Sequence, residues 1–207
     1  MLFRSRNTVE IHLHPARPVA FSLLLRDPGW SRGTGISSQG AAIVREGDYW
    51  RVTKQWKAGD TVTLTFVPVV REIAAVNGEI ALQHGALLFA RPIASTETVA
   101  KTYSLSGFQD THYEPAPGAS DDLMLPEELQ WEGFGFQPVD LPSNENVVTP
   151  LDAPVIALRG NMIRKRDRQR VSVDLVPLGN APLLRRLTHP VGGYLNPPFV
   201  SLSAAEQ

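Results

Sequence analysis

Cysteine is absent from the 207 residues. Disulfides, a thiolate nucleophile and any cysteine-ligated zinc or iron–sulfur site are therefore excluded from this chain, and a core of this size needs no bridges. An excess of either charge is also missing, since Lys+Arg 20 against Asp+Glu 21 leaves a formal net charge of -1. With a sequence pI near 6.5, no global field draws nucleic acid or an acidic membrane, and neither is expected as a partner. Long apolar runs are lacking too. Each is interrupted well short of the roughly 20 residues of a spanning helix, and MLFRSRNTVE holds no apolar run of the roughly 7 to 15 residues of a secretory signal. A cytoplasmic location is the expectation. There is no internal repeat, and no G-x-S-x-G or other nucleophile signature accompanies the isolated His84, His112 and His189.

What is present is strand pattern. With 43% hydrophobic and 20% charged residues, the composition is that of one globular domain over 1–207, able to bury about 70% of its unfolded surface. Thr8 to Leu13 alternates, with Val9, Ile11 and Leu13 on one face and Glu10, His12 and His14 on the other. Val19, Phe21, Leu23 and Leu25 form the apolar face of a second strand, which Asp27-Pro28-Gly29 ends because proline lacks the ladder's amide proton. A loop-rich run around a short strand at Ile36 follows, then strands at Ala41 to Val44, Tyr49 to Lys54 and Thr61 to Val67. Val69 to Val76 and Glu79 to Leu82 flank Asn77-Gly78, the strongest two-residue hairpin signal in the chain. Ala86 to Ala90 continues the series, and strand-like sequence returns at Val155 to Leu158, Val171 to Val176 and Leu183 to Leu187. Such short, regular spacing predicts an all-β chain, an antiparallel β-sandwich of jelly-roll kind, over alternating βαβ units.

Between Ser95 and Pro150 the periodicity fades, and prolines, glycines and scattered aromatics take over. This reads as a long irregular insertion, with one or two helical turns at Leu123 to Trp131, where Pro126 stands near the start and Glu127 and Glu128 suit the positive end. Residues 191–207 read as a surface tail.

The segments LLLRDPGW (Leu23 to Trp30), GDYWRVTKQWKAGDTVTL (Gly47 to Leu64) and ALQHGALLFA (Ala81 to Ala90) resemble the C-terminal β-sandwich of glycoside hydrolase family 127, the β-L-arabinofuranosidases. Arg26, Pro28, Gly29 and Trp30 match a family Arg-Ile-Pro-Gly-Trp strand end, and Trp56, Gly59 and Asp60 a Trp-x-x-Gly-Asp turn. Gly85 and Leu87 match a later Gly-Pro-Leu-Val-Tyr, and Val173 to Arg186 looks like the closing strands. Asp27, Ser38-Gln39-Gly40 and Ala86 depart from the family pattern. The resemblance implies that catalysis belongs to a helical barrel, with a cysteine nucleophile on a cysteine- and glutamate-bound zinc and another glutamate as acid/base. No residue of this chain takes those roles, so the resemblance carries no activity with it.

Among candidate sites, Arg26, Pro28, Gly29, Trp30, Trp50, Trp56, Gly59 and Asp60 read as structure, although exposed tryptophans also serve as sugar platforms. His12 and His14 share a strand face without a third ligand nearby, so no metal and no cofactor is expected. The pairs Asp121/Asp122 and Glu127/Glu128 read as a solvated loop and a helix start, because glycosidase acids must stand roughly 5 to 9.5 Å apart across a bond. Arg164, Lys165, Arg166, Arg168 and Arg170 read as a solvated hairpin loop. Tyr103, Tyr113, Trp131 and Phe136 are the candidates for lining a sugar or protein contact, or for covering an open sheet face.

The expected function is a non-catalytic accessory sandwich, packed against a helical-barrel glycosidase chain or on itself. The alternative is a carbohydrate-binding module working through exposed aromatics, and a free-standing glycoside hydrolase ranks behind both.

Overall fold

The computed structural model describes residues 7–105, 107–119, 122–127, 135–141 and 156–192. The chain divides into two compact units, the first running to Val70 and including His84–Ala86, the second comprising Arg71–Gln83 and the chain from Leu87.

The first unit holds β1 (Thr8–Leu13), β2 (Val19–Arg26), β3 (Ser31–Ser37), β4 (Ala42–Glu46), β5 (Tyr49–Trp56) and β6 (Asp60–Pro68). They form two antiparallel three-stranded sheets, β1-β6-β3 and β2-β5-β4. The period-2 alternation sets the register: Val9 lies opposite Leu64 and Ile11 opposite Val62, while Leu23 lies opposite Val52. These inward residues meet between the sheets in one core of Val52, Trp56, Val62 and Leu64, with Ile36, Ile43 and Phe66 packed on it. Trp56 anchors it at 0% exposure, its indole N–H donating to the Phe21 carbonyl oxygen at 2.9 Å.

The second unit is built on β7 (Val70–Ala74), β8 (Ile80–His84), β9 (Leu87–Pro92), β10 (Ser95–Thr102), β11 (Gln109–Pro115), β12 (Leu123–Met124), β13 (Gln137–Asp140), β14 (Ile156–Arg164), β15 (Arg170–Pro177) and β16 (Arg185–Arg186). Its main sheet runs β12-β14-β15-β9-β8-β7, with β13 also on β14 and β16 on β9. Asn77 and Gly78 take φ values of 63° and 71°, the left-handed pair that a two-residue hairpin turn demands. Glu79, just beyond, accepts from the Arg186 guanidinium and the Thr188 hydroxyl, which ties this hairpin to the end of the described chain.

The expectation of an all-β antiparallel chain with at most short helical turns holds, the described helical pieces being the three-residue turns Val76–Gly78 and Leu178–Asn180. Two local expectations differ. Residues 95–102 and 109–115 are not irregular, because β10 and β11 pair antiparallel from Ser95–Pro115 to Thr102–Gln109. Their faces are mostly exposed, so no apolar alternation marks them. The start of the expected helical turn is strand: Leu123 and Met124 pair with β14 and are buried, and the Leu125 N–H donates to the Pro190 carbonyl oxygen at 2.9 Å. Trp131 and Glu128 of that stretch lie outside the described residues, as do Asp121 and most of the 191–207 tail.

Candidate functional site

At one end of the first sandwich, the turn after β2 approaches the start of β3 and the β4–β5 turn, and a groove of about 430 Å3 opens among them. The Asp27 N–H donates to the Asp48 carbonyl oxygen at 2.7 Å, holding the two turns together, and the Ser31 N–H donates to the Pro28 oxygen at 2.9 Å. The proline-glycine sequence that ends β2 thus forms one wall. β3 then slips register between Ser31 and Thr34, so that Arg32 and Gly33 bulge out of the ladder with β6. Ser31 secures the bulge by donating its hydroxyl to the Gly33 oxygen at 2.9 Å while accepting from the Val67 N–H at 2.9 Å. Such bulges re-aim side chains that regular pairing would send elsewhere.

Charge lines this groove. Arg45 Nη2 lies 2.8 Å from Asp27 Oδ2, and the guanidinium carbon stands 5.8 Å from the Trp50 ring centroid, covering one face of the indole. Arg26, Arg32 and Asp48 also line it. Two lining residues carry buried polar atoms without partners among the described residues, the Thr34 hydroxyl and the Trp50 indole N–H. Each such unmet group costs about 1–3 kcal/mol, so two at one place are a feature to explain.

The sequence candidates are dispersed. Tyr103 donates its hydroxyl to Asp110 Oδ2 at 2.8 Å, which raises its phenol pKa, and Lys101 Nζ stands 4.5 Å from its ring centroid. Tyr113 lies opposite Glu97 on the same ribbon, about 20 Å along the strand from Tyr103 at about 3.3 Å per residue. Phe136 is 4% exposed, its ring lying against the Cα of Gly160. The structure brings none of these three together.

The motif residues are structural in their contacts. Trp30 packs on Phe66 with ring centroids 5.0 Å apart, and Gly85 leaves room for Trp30 and Pro68 beside it. Asp60 accepts from Lys54 Nζ at 2.8 Å and from the Lys57 N–H at 2.9 Å, and these bonds hold its carboxyl below the ordinary range, the lysine side chain contributing most. Exposed His12 bonds Thr61 at 3.2 Å. Asp122 Oδ2 accepts from the Arg166 N–H at 3.1 Å, and Arg164 pairs with Asp167 at 2.9 Å, so the arginine run closes the β14–β15 hairpin. Among the described residues no cluster of three or more His, Cys, Asp or Glu is placed to hold a metal. The groove itself escaped sequence reasoning because its walls come from separated turns, although RDPGW supplied one of them.

Comparison with known proteins places the first unit. The family model for the middle domain of GH127 beta-L-arabinofuranosidases matches residues 2–67, which contain β1 to β5 and all of β6 but its last residue. The model is of a middle domain, where the resemblance in sequence points to a C-terminal one. A GH127 beta-L-arabinofuranosidase from Geobacillus stearothermophilus T6 shares the fold with a TM-score of 0.58 at 18% identity, over 93% of this chain and 30% of that one. A glycoside hydrolase (TM-score 0.58, 16% identity, 92% and 31%) and a GH127 beta-arabinofuranosidase (0.57, 14%, 93% and 31%) do likewise. No curated protein matches. The chain spans less than a third of the length of each of these structures, and its residues 2–67 are similar to the GH127 middle domain.

Proposed function

We propose that the chain serves as a non-catalytic structural domain of a GH127-like glycosidase, working against a helical barrel or against a second copy of itself. The observation that carries this reading is the coincidence of the family match with the first structural unit: residues 2–67 take in nearly all of both sheets and all four fully or nearly fully buried core residues of the first sandwich. The chemistry agrees with it. The resemblance assigns catalysis to a cysteine, its zinc and glutamates in a barrel, and this chain has no cysteine.

The test is turnover. The purified chain, offered aryl arabinofuranosides, is expected to release no aryl alcohol above the uncatalysed rate. Mixed with a cysteine-containing helical-barrel polypeptide from the same cells, it is expected to form a complex of fixed stoichiometry by size-exclusion chromatography with light scattering. Saturable hydrolysis by the chain alone, abolished by substituting one of its own acids, would overturn the reading.

A further inference from the structure

The groove at the end of the first sandwich offers more hydrogen-bond donors than the chain uses. Arg45 is committed to Asp27 and to the Trp50 face that it covers. Arg26 and Arg32 are not, since neither guanidinium has an ion-pair or hydrogen-bond partner among the described residues. Among the described residues Thr34, 9% exposed, has no partner for its hydroxyl, and Trp50 has none for its indole N–H. Guanidinium and indole groups donate and do not accept. The molecule that satisfies this set is therefore rich in acceptors.

Shape and charge narrow it further. Arginine presents a planar fork of N–H groups that matches carboxylate or phosphate oxygens in pairs, and the bulge in β3 is what takes Arg32 out of the ladder. Among the described residues the Asp48 carboxylate, which also lines the groove, makes no ion pair and is available to hydroxyl donors. Arg45 closes one face of Trp50 to ring stacking, which counts against a neutral sugar lying there. A volume of about 430 Å3 falls among those of small-molecule sites, about 300–1,000 Å3. We infer that this groove binds a small hydroxylated oxyanion, a sugar acid or a sugar phosphate. Arg26 and Arg32 hold the oxyanion, and Asp48 takes its hydroxyls.

Calorimetric titration of the full chain at fixed ionic strength tests this, with galacturonate, glucose 6-phosphate and neutral galactose as probes. Saturable binding of at least one oxyanion and none of galactose is expected, and the tighter of the two identifies the source as carboxylate or phosphate. Arg32→Ala and Arg26→Ala should each weaken binding at least about tenfold, and Arg32→Lys less, because a lysine keeps the charge and loses the fork. Arg32 is exposed in the bulge, so its variants are expected to keep the wild-type Tm, and affinity is then read on folded protein. No saturable binding of either oxyanion, equal binding of galactose, or unchanged affinity in both alanine variants would overturn the inference. Any of those results leaves the non-catalytic reading standing, since turnover and complex formation test that separately.

Discussion

Replacing Gly160 by alanine probes how the second unit is packed. An added Cβ would sit 2.6, 2.7 and 2.8 Å from Cγ, Cδ1 and Cδ2 of Phe136, where carbon–carbon contacts want about 3.5–4.0 Å. The ring must retreat by about 1 Å, yet Phe136 is 4% exposed, and the register that pairs Gln137 with Arg159 carries Phe136 directly across from Gly160. The backbone at Gly160 has no positive φ, so the methyl is excluded by lack of space alone. Overpacking of this kind costs about 1–3 kcal/mol, opposed by about 0.4–1 kcal/mol from the stiffer unfolded chain. Urea unfolding followed by circular dichroism should show a lower midpoint at unchanged slope. Phe136→Ala should cost about 3–5 kcal/mol on its own, and in that background Gly160→Ala should be neutral or stabilising, a coupling within the range of about 0.5–3 kcal/mol found for touching residues. Equal destabilisation by Gly160→Ala in both backgrounds would refute the contact as the cause.

Three further outcomes follow from the same packing. Gly192→Ala should lower the urea midpoint less than Gly160→Ala, because its Cβ would meet the flexible thioether end of Met124, at 2.7 Å from Sδ, rather than a ring. Trp56→Ala should cost about 3–5 kcal/mol, while Trp56→Phe should retain more of the core and lose chiefly the bond to the Phe21 oxygen, worth about 0.5–1.5 kcal/mol. The lowered Asp60 pKa stabilises the fold fully above its unfolded value of about 3.9, and this is lost as pH falls through the folded value. The Tm gap between wild type and Asp60→Asn should therefore be constant near neutrality and narrow below about pH 4; a gap that is the same at pH 3 would contradict the assignment.

The strands legible in the sequence are those that bury one face. Val9, Ile11 and Leu13 and their counterparts Leu23 and Leu25 announce themselves because their neighbours face water, and Asn77-Gly78 because its backbone demand is local. β10 and β11 carry no such mark, since a two-stranded ribbon that buries neither face needs no alternation. Leu123–Leu125 reads as the start of a helical turn in sequence, because a short apolar run beside a proline has no period to mark a strand, and its pairing with β14 and the Pro190 oxygen makes it one. Phe136 looked like a stray loop aromatic because the glycine that accommodates it is far along the chain. The groove was half legible: Arg26, Pro28 and Gly29 stood out as a motif, but Arg45 and Trp50 join them only through the fold. The division after Val70, with His84–Ala86 belonging to the first unit, is likewise a matter of long-range contact.

The central claim, a structural domain dependent on a barrel or on its own copy, is tested most directly by affinity capture of the tagged chain from its native cell extract, with bound polypeptides weighed by mass spectrometry. The account predicts a cysteine-containing helical-barrel polypeptide in near-equal amount, or a dimer of the chain. A lone monomer that hydrolyses an arabinofuranoside would contradict it.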